Sequence, residues 1–243
     1  MLRAVSETSR LQLAAAASIV VLMFSSSSGA RVAGQSSIRI VLVGDSTVTD
    51  DSGWGSGFRK LVSDRVEVIN TAANGRSSKS FIDEGRWADA LGKRGQYYLI
   101  QFGHNDEPGK GPERETDPNT TYRHNMTRYV DEVRAQGATP ILVTSLVRRI
   151  YGDDGTIRTT QTPYVDAVRA IAKEKGVALV DLHAVSRDDA EHAGDEVWAD
   201  LSPRDDKGAI DRTHLNAKGS EVVGRMVIDA LRTAVPALAS DLR

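Results

Sequence analysis

The stretch IRIVLVGDST, residues 38–47, runs from an almost continuous series of apolar residues into a glycine and three polar residues. The series predicts a short buried strand over residues 38–43, closed by Gly44. Ser46 stands where this strand gives way to a loop. In an open α/β sheet, side chains at that position face the ligand.

Four similar runs follow along the chain, and segments with helical spacing lie between them. The further strands are predicted at 66–72, 97–102, 139–144 and 177–182, and the helices at about 57–63, 78–93, 120–136, 162–175 and 216–233. Strands that alternate with helices indicate a parallel sheet covered on both faces. The sequence therefore predicts an α/β fold, a three-layer α/β/α sandwich with a parallel five-stranded sheet.

Right-handed crossovers place the carboxyl ends of parallel strands at one edge of the sheet, where ligands bind. Ser46, Asn74-Gly75, residues 103–106 and Ser145 each follow a strand closely, so we expect them to gather at this edge. Two stretches rich in glycine, proline and charge, 108–118 and 194–210, are predicted to be long loops. Loops of this length in a compact domain tend to be functional or mobile.

A second polar group stands near the other end of the chain, in Asp211-Arg212-Thr213-His214. A serine hydroxyl is a poor nucleophile until a base takes its proton. His214 offers that base, and Asp211 can accept a hydrogen bond from its Nδ1–H, which leaves Nε2 facing Ser46. Taken alone, residues 44–47 fit a plain strand-to-helix turn better. Together, Ser46, His214 and Asp211 predict a catalytic triad.

Acyl transfer also needs hydrogen-bond donors aimed at the oxyanion that develops in the transition state. Three candidates follow strand ends: the backbone N–H of Ser46, the backbone N–H of Gly75 and the side-chain amide of Asn105. Glycine at position 75 allows a close backbone approach or a positive φ. The amide of Asn105 carries two N–H donors and no charge.

Composition excludes several other classes of protein and site. The 243 residues carry a formal net charge of -2, whereas nucleic-acid binders usually carry a basic excess, so we expect no nucleic-acid partner. The chain has no cysteine, which excludes thiolate catalysis and thiolate metal sites. No H-E-x-x-H or comparable spacing of metal ligands appears either. We expect neither a metal nor a cofactor.

The first 30 residues are predicted to be a cleaved signal peptide. Arg3 and Arg10 precede an apolar stretch over 11–24, and small residues up to Ala30 follow. The apolar stretch is shorter than the roughly 20 residues that span a bilayer, although an uncleaved anchor is the alternative. We expect a secreted or periplasmic protein with no stable membrane association after cleavage. A short segment over 31–37 and a single domain over 38–243, monomeric in solution, would remain.

Four blocks taken together resemble the SGNH, or GDSL-type, hydrolases. They are Gly44-Asp45-Ser46, Gly75, Gly103-x-Asn105-Asp106 and Asp211-x-x-His214. The resemblance implies a flavodoxin-like sandwich, the SGNH hydrolase fold, without a metal. It also implies that Ser46 is the nucleophile, His214 the base and Asp211 the residue that orients it, and that Ser46, Gly75 and Asn105 form the oxyanion hole.

Longer strings within these blocks resemble the rhamnogalacturonan acetylesterase group. They are Gly44-Asp45-Ser46-Thr47-Val48, Asn74-Gly75-Arg76-Ser77-Ser78, Phe102-Gly103-His104-Asn105-Asp106 and Asp211-Arg212-Thr213-His214-Leu215, and residues 121–126 match as well. This resemblance implies a secreted esterase that removes O-acetyl groups from a pectic polysaccharide. Secreted fungal members of the group carry disulfides, which this chain cannot form, so its polymer-binding loops are held differently.

Other activities stay open from the sequence. They are a different SGNH esterase, such as an acetylxylan esterase or a lipase or thioesterase, and a polysaccharide-binding module without turnover. His104, Arg76 and Trp54 are candidate substrate contacts: His104 adjoins Asn105, Arg76 can meet a carboxylate and Trp54 can stack on a sugar. A loop anchor, a solvated rim and a packed core residue are the respective alternatives.

Overall fold

Five parallel strands form one sheet in this computed structural model, which describes residues 37–243. The strands are β1 (Ile38–Gly44), β2 (Val66–Asn70), β3 (Tyr97–Gln101), β4 (Thr139–Val143) and β5 (Ala178–Val180). Their order in the sheet is β2-β1-β3-β4-β5, and every neighbouring pair is parallel. This is the flavodoxin-like order, whose switch point lies between β1 and β3. The predicted signal peptide, 1–30, lies outside the described residues.

Helices connect the strands and cover both faces of the sheet. They are α1 (Gly55–Lys60), α2 (Ser78–Asp83), α3 (Arg86–Leu91), α4 (Thr121–Ala135), α5 (Thr162–Lys175), α6 (Leu182–Ala193), α7 (Asp195–Asp200) and α8 (Ala217–Ala234), with a 3₁₀ helix at Pro236–Asp241. Within 37–243, no helix is both long and apolar enough to cross a membrane.

Alternate residues of the strands divide the core into two clusters. Ile40 and Leu42 of β1 pack with residues of α1, α6, α7 and α8, whereas Val41 and Val43 pack with residues of α2, α3, α4 and α5. Because successive side chains of a strand point to opposite faces of the sheet, neighbouring residues pack against different helical layers. The predicted three-layer α/β/α sandwich with five parallel strands is confirmed.

Three helical predictions need correction. The helix predicted over 78–93 is two helices, because the chain turns at Gly85, which has a φ of 77°. Residues 182–193, for which no helix was predicted, form α6, capped by the Asp181 side chain. Within the predicted loop 194–210, α7 forms because Trp198 is buried against the core.

Glycines bring α1 and α8 into close contact. A β-carbon on Gly57 would lie 1.9 Å from the carbonyl oxygen of Ser220, and one on Gly224 would lie 2.6 Å from the carbonyl carbon of Gly57. Gly57 N–H also donates to Ser220 Oγ at 3.0 Å. Only glycine at these positions allows the two helix backbones to approach this closely.

The last residues of the chain pack against the segment that follows α1. Val62 and Leu242 form an antiparallel bridge. Ser63 N–H donates to the Asp241 carbonyl at 2.8 Å, and Arg243 N–H donates to the Leu61 carbonyl at 2.6 Å. The carboxyl terminus is thereby fixed to the β1–β2 connection.

Candidate active site

Three side chains from opposite ends of the chain form one line of hydrogen bonds. Ser46 Oγ lies 2.8 Å from His214 Nε2, and His214 Nδ1 lies 2.7 Å from Asp211 Oδ2. When Nδ1 carries the proton and donates it to the carboxylate, Nε2 is free to accept from the serine hydroxyl. The structure brings all three predicted triad residues together with the contacts that their predicted roles require.

A tight turn at residues 211–214 sets the position of the base. Asp211 Oδ1 accepts from the backbone N–H groups of Thr213 and His214 at 2.8 and 3.0 Å. Asp211 Oδ2 is left for the imidazole. Partial burial raises the pKa of Asp211, but the hydrogen bonds from His214 and Thr213 outweigh it, and the pKa is lowered overall. Asp211 therefore stays a carboxylate beside the imidazole at neutral pH.

The turn after β1 fixes Ser46 through its neighbours. A β-carbon on Gly44 would lie 2.6 Å from the Gln101 carbonyl oxygen of β3, so glycine is required where the strand ends. Asp45 Oδ1 accepts from Thr47 N–H and from its hydroxyl at 2.9 and 2.7 Å. Ser46 itself is buried except for a small exposed fraction of 8%. The hydroxyl is thus held at the sheet edge and points to His214.

The two further candidate oxyanion donors belong to loops that are tied to each other and to the Ser46 turn. Gly75 has a φ of 74°, which favours glycine. Asn105 Nδ2 donates to the carbonyl of Arg76 at 3.1 Å. The Asn74 side-chain oxygen lies 3.3 Å from the Ser52 hydroxyl, which also donates to the carbonyl of Ser46. This network joins the loops after β1, β2 and β3, and the oxyanion roles of Ser46, Gly75 and Asn105 stay predictions.

A buried carboxylate anchors the loop that carries Asn105. Asp106 accepts from the Ser78 hydroxyl at 2.6 Å and from the Thr116 hydroxyl at 2.9 Å, and Ser78 N–H lies 3.1 Å from it. Burial raises the pKa of Asp106 to about 7 in spite of these donors. Asn125 in turn donates to the Ser78 hydroxyl at 3.1 Å. The resemblance at residues 121–126 therefore has a structural basis in this anchor.

Two of the candidate substrate contacts are corrected. Trp54 is fully buried, and its Nε1–H donates to Gln101 Oε1 at 3.0 Å, so its ring has no face for a sugar. His104 is 3% exposed, with Nδ1 3.5 Å from Asp45 Oδ2. Burial opposes the charged form of Asp45, but His104 and Thr47 outweigh that effect and lower its pKa. His104 thus packs beneath the site.

Arg76 keeps a partly exposed side chain beside Gly75, and a second arginine joins it there. Arg76 pairs with Glu84 at 3.0 Å, with 36% of its side chain exposed. Arg114, from the predicted loop 108–118, has its Nη1 4.0 Å from where a β-carbon on Gly75 would stand. Sequence reasoning did not single out Arg114, because nothing in its own segment links it to Gly75.

A cavity of about 670 Å³ lies at the same edge of the sheet, and three prolines and Tyr164 contribute to its lining. Glu107 and Arg148 also line it and form an ion pair at 2.7 Å. Glu107 follows Asn105 by two residues, which places the cavity next to the loop of the candidate oxyanion donor. A volume of this size lies within the range typical of small-molecule sites.

The comparison with family models matches residues 42–222 to the GDSL-like lipase/acylhydrolase family. This range contains Ser46, Gly75, Asn105, Asp211 and His214. It also covers more than half of the chain.

Two relatives are similar over most of their length. The rhamnogalacturonan acetylesterase RhgT of Bacillus subtilis is 37% identical in an alignment of 212 residues that covers 80% of this chain and 89% of that protein. A rhamnogalacturonan acetylesterase of Emericella nidulans is 32% identical in an alignment of 215 residues that covers 79% of this chain and 84% of that protein.

Solved structures share the fold. The crystal structure of the protein YxiM of Bacillus subtilis has a TM-score of 0.69 at 25% identity, and the match covers 81% of this chain and 56% of that longer one. A catalytic mutant of Axe2, an acetylxylan esterase from Geobacillus stearothermophilus, has a TM-score of 0.60 at 16% identity, over 81% of this chain and 94% of that one.

Proposed function

The chain belongs to the GDSL-like lipase/acylhydrolase family, and on this premise we propose that it is an esterase that removes O-acetyl groups from rhamnogalacturonan. The observation that carries the proposal is the line from Ser46 Oγ through the His214 ring to Asp211, with contacts of 2.8 and 2.7 Å. These are the contacts through which a base activates a serine and a carboxylate orients the base.

The reaction proceeds through an acyl-enzyme. Ser46 Oγ attacks the acetyl carbonyl while His214 Nε2 takes its proton, and the tetrahedral intermediate collapses as the imidazolium returns the proton to the leaving sugar oxygen. Water then attacks the acetyl group on Ser46, again with His214 as the base. Acetate leaves, and the hydroxyl of Ser46 is restored.

The oxyanion of each tetrahedral intermediate is stabilised by the N–H groups of Ser46 and Gly75 and by the amide of Asn105. The contact between Asn105 Nδ2 and the carbonyl of Arg76 supports this assignment, because it holds the amide next to the Gly75 loop before substrate arrives. Donors fixed in advance need no reorganisation during the reaction. Removal of one such donor typically lowers kcat by about 100-fold to 1,000-fold.

Two features support an acidic polysaccharide as the substrate. The relatives in Bacillus subtilis and Emericella nidulans carry the name rhamnogalacturonan acetylesterase. In this chain, Arg76 and Arg114 stand beside Gly75, where guanidinium groups can bind the carboxylates of uronic acids. The cavity next to Glu107 and Arg148 offers room for sugars that neighbour the acetylated one.

The decisive experiment measures acetate release from acetylated rhamnogalacturonan, acetylated homogalacturonan and acetylated xylan. We expect the highest kcat/KM on rhamnogalacturonan for the wild-type protein and no turnover for Ser46→Ala. Ser240→Ala, which replaces an exposed serine, serves as the control with wild-type rates. A Ser46→Ala variant that keeps the wild-type rate would refute the mechanism, and a preference for xylan would refute the substrate.

Two further measurements separate the other activities. A lipase would hydrolyse long-chain nitrophenyl esters faster than the acetyl ester, whereas we expect the reverse. A binding module would not react with a fluorophosphonate, whereas we expect covalent labelling of Ser46 that Ser46→Ala abolishes.

We also propose that the protein acts outside the cytoplasm, as a secreted or periplasmic enzyme. The support is the leader-like sequence of residues 1–30, with its basic start, apolar stretch and small residues before the cleavage point. Cell fractionation followed by sequencing of the amino terminus tests this, and a protein that stays in the cytoplasm with Met1 at its start would contradict it.

A further inference from the structure

Arg149 is a fully buried arginine that lies against the 211–214 turn. Only 1% of its surface is exposed. Its Nη2 donates to the carbonyls of His214 and Asp211 at 2.7 and 3.2 Å, and Nη1 donates to the carbonyl of Thr213 at 3.3 Å. One guanidinium thus binds three of the four carbonyls in the turn that carries the base.

Residues at the end of α7 and just after it hold the other side of this guanidinium. Arg149 Nη2 also donates to Ser202 Oγ at 3.0 Å, and the guanidinium carbon lies 5.2 Å from the centre of the Trp198 ring. An arginine over a tryptophan face is attracted by the ring quadrupole. These contacts hold the guanidinium from outside the turn.

Within residues 37–243, the side chain of Arg149 has hydrogen-bond acceptors but contacts no carboxylate. Its hydrogen bonds go to three backbone carbonyls and one hydroxyl. Burial lowers the pKa of Arg149 to about 10, so the side chain still carries a full positive charge at neutral pH. A buried cation without a carboxylate contact is an expensive arrangement, and its acceptors lie almost entirely in one functional turn.

We propose that Arg149 is a positioning residue for the esterase reaction, which holds the backbone of His214 where its imidazole reaches Ser46. The inference rests on the proposed function, because it assigns the base to His214. Arg149 touches neither the substrate nor the reacting atoms in this role and acts through the turn alone.

Two substitutions, one that keeps the positive charge and one that removes it, test the positioning effect. Arg149→Lys keeps the positive charge, but its ammonium group cannot donate to the three carbonyls as the planar guanidinium does. Arg149→Met keeps a long side chain but removes the charge. For both we expect kcat on nitrophenyl acetate to fall by about 100-fold, as for a small misplacement of a catalytic group, with KM changed by less than about 3-fold.

The kcat of each folded molecule distinguishes positioning from a loss of folded protein. A displaced His214 lowers the kcat of the folded variant, whereas a purely structural role lowers the folded fraction and leaves the kcat of each folded molecule at the wild-type value.

Arg134→Met is the matched control, because Arg134 also donates to two backbone carbonyls, those of Lys175 and Gly176, away from the site. We expect wild-type kcat and KM for it. Circular dichroism and thermal unfolding verify folding, and Arg149→Lys provides the readout if Arg149→Met does not fold.

Wild-type kcat in the folded Arg149 variants would overturn the inference, and so would a loss of rate that matches the unfolded fraction. Inactivity of the wild-type protein on all acetyl esters would instead overturn the proposed function.

Discussion

At the scale of single residues, Asp211 serves two purposes with its two carboxylate oxygens. Oδ1 closes the turn by accepting from Thr213 and His214 N–H, and Oδ2 accepts from the imidazole. The spacing of two residues between Asp211 and His214 follows from this turn, because only a side chain three residues before the histidine reaches both its backbone and its ring here. The orienting residue and the base therefore move as one unit.

Asp211→Asn should lower kcat less than His214→Ala does. An asparagine can turn an N–H toward His214 Nδ1 and favour the wrong tautomer, which in serine proteases costs about 10⁴-fold in kcat, whereas loss of the base costs about 10⁶-fold. Steady-state rates on nitrophenyl acetate measure both. Asp205→Asn is the control, since Asp205 also accepts backbone N–H bonds in a turn, from Lys207 and Ala209. An equal loss in the two active-site variants would argue against orientation as the role of Asp211.

Asp106 should make the free energy of unfolding depend on pH. Its pKa in the folded protein is about 7, above the ordinary value of 3.8, so the folded state binds more protons between these values. The contribution of Asp106 to stability is therefore present at low pH and lost as the pH rises toward 7, by at most about 1.4 kcal/mol for each pH unit.

Urea unfolding of the wild-type protein and Asp106→Asn from pH 5 to pH 8 measures this dependence. The wild-type protein should lose stability relative to the variant as the pH rises. A difference between the two proteins that stays constant over this range would contradict the raised pKa.

At the scale of secondary-structure elements, the contact between α1 and α8 governs the distance between Ser46 and His214. α1 begins shortly after the Ser46 turn, and α8 begins directly after the 211–214 turn, with Asn216 as its cap. A change in the separation of these helices therefore changes the position of Ser46 relative to His214.

Gly224→Ala should destabilise the fold and lower kcat together. Its β-carbon would stand 2.6 Å from the backbone of Gly57, and such overpacking typically costs about 1–3 kcal/mol. Urea unfolding and kcat on nitrophenyl acetate measure the two effects. Gly92→Ala is the control, because Gly92 has a φ of -60° and its β-carbon would be 3.3 Å from the nearest atom. If Gly224→Ala left both the stability and kcat unchanged, this contact would not determine the separation of α1 and α8.

Helices and strands whose hydrophobic pattern lies within one continuous stretch of sequence could be predicted. The five strands are apolar runs, and α4, α5 and α8 show apolar faces, so their positions were predicted to within a few residues. α6 and α7 were not predicted, because their stretches are rich in charge and α7 forms around Trp198, a single large buried side chain.

The triad could be proposed from the sequence because the chemistry demands particular residue types. The contacts around the triad could not be predicted from the sequence, because they join residues that are far apart along the chain. Trp54 donates a hydrogen bond to Gln101, His104 lies against Asp45, and Arg149 is buried against Trp198. Only the fold reveals these pairs.

At the scale of the whole molecule, the described sheet and both halves of the candidate site lie within 37–243. A protein that lacks residues 1–30 should therefore fold as a monomer and hydrolyse nitrophenyl acetate with the kcat/KM of the longer chain. Light scattering and steady-state rates measure both properties. A large loss of rate on removal of these residues would show that they serve the folded enzyme, contrary to a role as a cleaved leader.

The bridge between Val62 and Leu242 has a consequence for the way the protein is made. Ser46 leaves the ribosome before His214 and before the residues around Leu242 that contact the β1–β2 connection. A chain that is arrested or clipped before Asp211 contains Ser46 but lacks His214. Esterase activity should therefore appear only after synthesis has passed the 211–214 turn.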